Sequence, residues 1–128
     1  MMLNLLIIDD DIFFRELIKD ILQDYPVTVH EAANGDEGLV VMRQEAIKVV
    51  VTDIIMPEKE GLESIIEILQ KYPGTKIVAV SGGGSAGSSD YLEMAASLGA
   101  HATLAKPFEK EELIETLNQL VDNKLAVD

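Results

Sequence analysis

Cysteine is absent from the 128-residue sequence, which removes disulfide frameworks, thiolate metal centres and cysteine nucleophiles together. Basic side chains are scarce, 10 Lys and Arg against 23 Asp and Glu, for a net charge of −13. A surface of that sign repels a phosphate backbone, so direct nucleic-acid binding is not expected. The excess charge is otherwise read as a solvated surface. Long apolar runs are missing as well. Met1 to Asp9 has no basic residue ahead of its short apolar cluster and is too brief for a signal peptide or a membrane span, so no membrane partner is expected and the chain is read as cytoplasmic.

What remains is the profile of a globular protein, 48% apolar and 26% charged, with length enough to bury a core. The expected organisation is one domain over residues 1–128. Apolar runs of strand length alternate with stretches of helical period. Strands are expected at Leu5–Ile8, Val27–Ala32, Val49–Val51, Ile77–Val80 and Ala102–Ala105, and helices at Ile12–Tyr25, Asp36–Gln44, Gly61–Tyr72, Asp90–Leu98 and Glu109–Val121. Apolar strands alternating with helices imply an α/β fold, a doubly wound five-stranded parallel sheet covered by helices on both faces. The glycine- and serine-rich stretch Ser81 to Ser89 is expected to be a mobile loop, and only Asn123 to Asp128 follows the last helix, so any output domain is expected either on another chain or in a segment that was cut away.

In such a sheet, ligands bind at the carboxyl ends of the strands. Those ends carry Asp9, Asp10 and Asp11 after the first strand, Asp53 after the third, Ser81 after the fourth and Lys106 after the fifth. Carboxylates converging there repel one another by about 4 kcal/mol per pair at about 4 Å in an effective dielectric near 20, which calls for a cation. An all-oxygen site with open positions suits magnesium ahead of calcium or zinc. A carboxylate can also attack phosphorus and form an aspartyl phosphate while a metal and a lysine offset the charge on the transferring oxygens. Taken singly, each residue has a plainer use: Asp11 as a helix cap, Lys106 as a surface lysine, Ser81 as a loop residue.

Several separated segments together resemble the receiver domain of two-component response regulators across essentially the whole chain. Leu5–Asp11 with Arg15 is similar to that family's first strand, acidic pair and following helix. Asp53-Ile54-Ile55-Met56-Pro57 with Gly61 is similar to its phosphoacceptor strand and turn, Val78–Ser81 to its strand ending in Ser or Thr, and Gly99-Ala100 with Lys106-Pro107-Phe108 to its final signature. The resemblance implies a flavodoxin-like strand order 2-1-3-4-5 and phosphorylation of Asp53. It implies magnesium held by Asp10, Asp53 and the main-chain carbonyl of Ile55, with Asp9 acting partly through water. Ser81 and Lys106 would hold the phosphoryl oxygens, and a cis peptide bond is expected at Lys106-Pro107. The implied partners are a sensor histidine kinase or histidine phosphotransfer protein and a downstream output protein, with the last helix as a dimer surface in some members.

One departure stands out: the aromatic residue expected three positions before the signature lysine is Thr103, which leaves the usual aromatic switch without its ring. In the first helix, the apolar residues Phe13 to Tyr25 span an arc of about 180°, wider than the roughly 100° stripe a core-facing helix needs. Either the Phe13 or the Phe14 flank is therefore a candidate docking face for a histidine-bearing partner. His30 and His101 are expected in surface or packing roles. Two other functions compete. A haloacid-dehalogenase-type phosphatase would use the DxD within Asp9–Asp11, but it needs a further acidic pair after its lysine and leaves Asp53 to Pro57 unexplained. A receiver-shaped interaction module without phosphorylation would not need the site residues it carries.

Overall fold

The structure, a computed structural model, describes residues 2–54, 61–82 and 88–121. Most of the expected loop after Ser81, the turn residues Ile55 to Pro57 and the segment from Asn123 onward lie outside the described residues. Five strands alternate with five helices: β1 (Leu3–Ile8), α1 (Ile12–Leu22), β2 (Val27–Ala32), α2 (Gly35–Gln44), β3 (Val49–Asp53), α3 (Gly61–Lys71), β4 (Lys76–Ser81), α4 (Ser88–Leu98), β5 (Ala102–Ala105) and α5 (Lys110–Leu120). All strands pair in parallel in the order β2-β1-β3-β4-β5, the expected flavodoxin-like arrangement.

Because successive strand side chains point to opposite faces, each strand feeds two cores. Leu5 and Ile7, Val49 and Val51, and Val78 and Val80 pack with Phe14, Ile18 and Leu22 of α1 and with Leu113 and Leu117 of α5. Leu6, Ile8, Val50, Ile77 and Ala79 meet α2, α3 and α4 on the other side. Leu113 and Leu117 are fully buried, so these leucines serve the core and not a dimer surface. Gly38 lets α2 lie close to β1, for a Cβ there would stand 2.6 Å from Ile8 Cδ1.

Several boundaries differ from the expected ones for local reasons. The first helix stops at Leu22 rather than Tyr25: Gln23 and Asp24 form a turn, and Pro26 disfavours helical backbone at Tyr25, the residue before it. Asp11 caps the start of that helix, its Oδ1 accepting from Phe13 N at 2.9 Å. The third strand runs on to Asp53, two residues beyond Val51. Gly99, with φ of 117°, ends α4 in a backbone region open to glycine.

His101 has a use its sequence position did not disclose. β4 begins before its neighbour β5 does, and Ile77 N donates to His101 Nδ1 at 3.0 Å while His101 N donates to Ile77 O at 2.8 Å. The ring thus extends the ladder by one acceptor, which the imidazole supplies only while its Nδ1 carries no proton. Burial, followed by the nearby Lys76 ammonium, holds the His101 pKa below its usual 6.5. A lowered pKa means that the unfolded chain takes up the proton first, so the stabilisation is present above pH 6.5 and is lost as pH falls through the folded value. Chemical denaturation from pH 7.5 to 5 should show wild-type stability dropping below pH 6.5 relative to His101→Gln. Parallel curves would refute the assignment.

Candidate functional site

The register of the parallel sheet gathers the polar residues on one rim. Ile8 pairs with Thr52, Asp53 with Val80 and Ser81 with Ala105, so the residues that close each strand emerge side by side. Alternation then sorts their side chains. Asp9, Asp53 and Lys106 share the parity of Ile7, Val51 and Leu104, which face α1 and α5, whereas Ser81 shares that of Ala79 and Ile77, which face α2, α3 and α4.

Oxygens of Asp9, Asp10 and Asp53 all lie within 4.8 Å of one another. Asp9 is fully buried, Asp53 nearly so and Asp10 exposed. Lys106 Nζ stands 2.9 Å from Asp9 Oδ2 and 3.6 Å from Asp53 Oδ2. The carboxylates outnumber this ammonium, and at about 4 kcal/mol of repulsion per pair the surplus favours capture of a cation. A donor set made only of oxygen, with one member open to solvent, fits a hard divalent ion that keeps some of its water.

Asp9 is pinned through both backbone and side chain. Its N–H donates to Ala32 O at 3.0 Å, its carbonyl accepts from Arg15 Nη1 at 2.7 Å, and its Oδ1 accepts from Asp11 N at 2.9 Å. Arg15 is itself held by Glu31 at 3.1 Å, and Lys19 reaches the other Glu31 oxygen at 3.0 Å. Burial pushes the Glu31 carboxyl up, but the hydrogen bonds from Lys19 and Arg15 outweigh it and hold the group below its ordinary value.

Lys106 also lies over an aromatic face, its Nζ 3.8 Å from the centroid of Phe14. Phe14 meets Phe108 edge to face, with centroids 5.9 Å apart at 87°. Lys106 N donates to Ser81 O at 2.8 Å, and the peptide bond between Lys106 and Pro107 is cis, as expected.

The structure therefore brings together Asp9, Asp10, Asp53 and Lys106. Ser81 sits on the same rim, fully buried, and its Oγ has no hydrogen-bond partner among the described residues. Ile55, whose carbonyl is an expected ligand, lies outside the described residues. Arg15, Glu31 and Phe14 support the site without having been singled out for it; their signal is tertiary, since each acts from a neighbouring element. Phe13 is 82% exposed and Phe14 8%, so the candidate docking flank is the Phe13 side, with exposed Ile12 and Leu17 beside it. Thr103, at the usual aromatic position, is exposed. Among the described residues no helix is long and apolar enough to cross a membrane.

The family model described as the response regulator receiver domain matches residues 5–118. The chain is 36% identical over 119 residues to the chemotaxis protein CheY of Listeria monocytogenes, covering 92% of this chain and 98% of that one. It is 30% identical to part of the sensor kinase CckA of Brucella abortus, covering 94% of this chain and 13% of that one. Among solved structures, chemotaxis protein CheY4 of Vibrio cholerae superposes with a TM-score of 0.83 at 28% identity, covering 94% of this chain and all of that one.

Proposed function

The chain belongs to the response regulator receiver domain family, a family of signalling domains rather than classical enzymes, and from that premise we propose that it accepts a phosphoryl group on Asp53. The observation that carries this reading is the convergence of Asp9, Asp10 and Asp53 with Lys106 at the carboxyl edge of the sheet. Asp53 Oδ attacks the phosphorus of a phosphohistidine on a sensor kinase or phosphotransfer protein. The new P–O bond forms as the P–N bond breaks, and the departing imidazole keeps the electron pair and takes up a proton. Asp9, Asp10, Asp53 and the main-chain carbonyl of Ile55 are the residues that would hold magnesium. When bound, that ion supplies positive charge to the phosphoryl oxygens. Lys106 offers its ammonium to the same oxygens, and the orphaned hydroxyl of Ser81 is the group that gains a partner when a phosphoryl oxygen arrives. The altered rim then changes the chain's hold on an output protein. Such a relay operates in the cytoplasm, beside its donor.

Incubation with acetyl phosphate and magnesium, followed by hydroxylamine trapping and mass mapping, tests the reading. A hydroxylamine-labile adduct on Asp53 supports it. An adduct on Asp9 points to phosphatase chemistry, and no adduct at all to an interaction module.

The donor has to dock close to Asp53, and the exposed apolar strip of Ile12, Phe13 and Leu17 lies on the helix that starts at the rim. Burying an aromatic ring at the centre of an interface commonly contributes about 2 kcal/mol or more, so Phe13→Ala should slow transfer from the cognate phosphodonor protein about tenfold or more. The rate with acetyl phosphate should stay unchanged, because the small donor needs no docking surface. Equal slowing with both donors would assign Phe13 to the fold instead.

A further inference from the structure

We propose that Phe14 is a positioning residue for Lys106, its ring face fixing the ammonium against the carboxylates of Asp9 and Asp53. The inference rests on the phosphoacceptor reading above and adds a residue that the family signature does not single out.

A lysine ammonium is a strongly hydrated point charge at the end of a flexible stem, and it adopts one place only when its surroundings leave no other. Asp9 at 2.9 Å and Asp53 at 3.6 Å define an arc along which the ammonium can slide, toward the exposed Asp10 or out to water. Phe14 closes the third side. Its centroid is 3.8 Å from Nζ, within the range where the negative face of a ring attracts a cation, and it excludes water from that side.

The ring is itself immobilised. Phe14 is 8% exposed, is packed in the α1 and α5 core, and meets Phe108 edge to face. Phe108 follows Lys106 by two residues, so the segment that carries the lysine also braces its platform. Leu or Met at position 14 would fill much of the same space without an electron-rich face. With Thr103 exposed and carrying no ring, the aromatic surface against Lys106 comes from α1. As the Asp53 Oδ–P bond forms and the P–O bond of acetyl phosphate breaks, acetate leaving with the electron pair, charge on the phosphoryl oxygens meets an ammonium already in place. Such preplacement avoids reorganisation during the step.

The test compares the wild-type chain with Phe14→Leu and Phe14→Tyr by two measurements. The first is the NMR shift of the Lys106 ε-methylene protons, which a ring face moves upfield. The second is the rate of Asp53 labelling by acetyl phosphate with magnesium. Phe14→Leu should lose the upfield shift and label about fivefold more slowly, whereas Phe14→Tyr, which keeps the ring face, should retain both. Unshifted ε-protons in the wild-type chain overturn the placement, and this reading stands even where Phe14→Leu fails to fold. A wild-type labelling rate in a folded Phe14→Leu that has lost the shift overturns the positioning role. Absence of label on the wild-type chain overturns the phosphoacceptor reading, and the rate consequence with it, while the shift still reports on the ammonium by itself.

Discussion

An Asp53→Asn chain is expected to take up no label from acetyl phosphate and, in the presence of a chelator, to melt about 5 °C higher than the unsubstituted chain. The first result follows because an amide is a poor nucleophile and the substituted side chain leaves no carboxylate oxygen for the new bond. The second is a matter of competing charges. Asp53 lies within 4.8 Å of the oxygens of both Asp9 and Asp10, and 3.6 Å from the Lys106 ammonium, which is already bonded to Asp9 at 2.9 Å. Two close repulsions against a shared attraction, at about 4 kcal/mol each in an effective dielectric near 20, leave the carboxylate destabilising on balance, before any cost of its burial. Neutralising it should return about 1–2 kcal/mol, an order-of-magnitude figure after relaxation and screening. Magnesium should narrow the gap, since an ion that binds the native cluster stabilises the unsubstituted chain by mass action. Thermal unfolding in EDTA and in millimolar magnesium distinguishes these cases. A variant less stable than wild type in EDTA would mean that repulsion does not dominate the rim.

Removal of the opposing charge should act in the other direction. Lys106→Met keeps the length of the stem but leaves the fully buried Asp9 without its ammonium. Stripping one partner from a buried ion pair costs several kcal/mol, here about 3 because Lys106 keeps some contact with water. Labelling by acetyl phosphate should fall by about 10²-fold or more, the usual loss when a group aimed at developing charge is deleted. Magnesium should recover part of the stability but not the rate, because the ion offsets the carboxylates without replacing an ammonium at that place. Denaturant titration and labelling kinetics on the same preparation check both halves. Near-normal labelling, within about threefold, would remove Lys106 from the transfer step.

Much of this fold was legible because its three central strands are buried on both faces over most of their length and are written as aliphatic runs that helical period cannot imitate. The rim residues were legible for a related reason: a polar side chain straight after such a run has to sit at a strand end, and parallel pairing lines those ends up. The extension of β3 to Asp53 was hidden because aspartate reads as a strand terminator, although pairing with Val80 carries the ladder through it. The arc of α1 left Phe13 and Phe14 equivalent, and packing against α5 separated one from the other by placing Phe14 under Lys106. Arg15 was noted only as part of a motif. Its bond to the carbonyl of Asp9 needs a long side chain folding back along the helix start, which no spacing rule announces. The histidine that completes the ladder at Ile77 answers a mismatch in strand lengths, and that mismatch exists only once the strands are paired.

Alternation along the strands has a mechanical corollary at the rim. Aspartates 9 and 53 open toward one layer of helices, and the hydroxyl of Ser81 belongs to the opposite layer. A substituent on Asp53 that recruits that hydroxyl would draw it from the fully buried place it now holds without a hydrogen-bond partner among the described residues. On the phosphoacceptor reading, chemistry performed in front would be registered at the back, with the thickness of one β-ribbon as the length of the transmission.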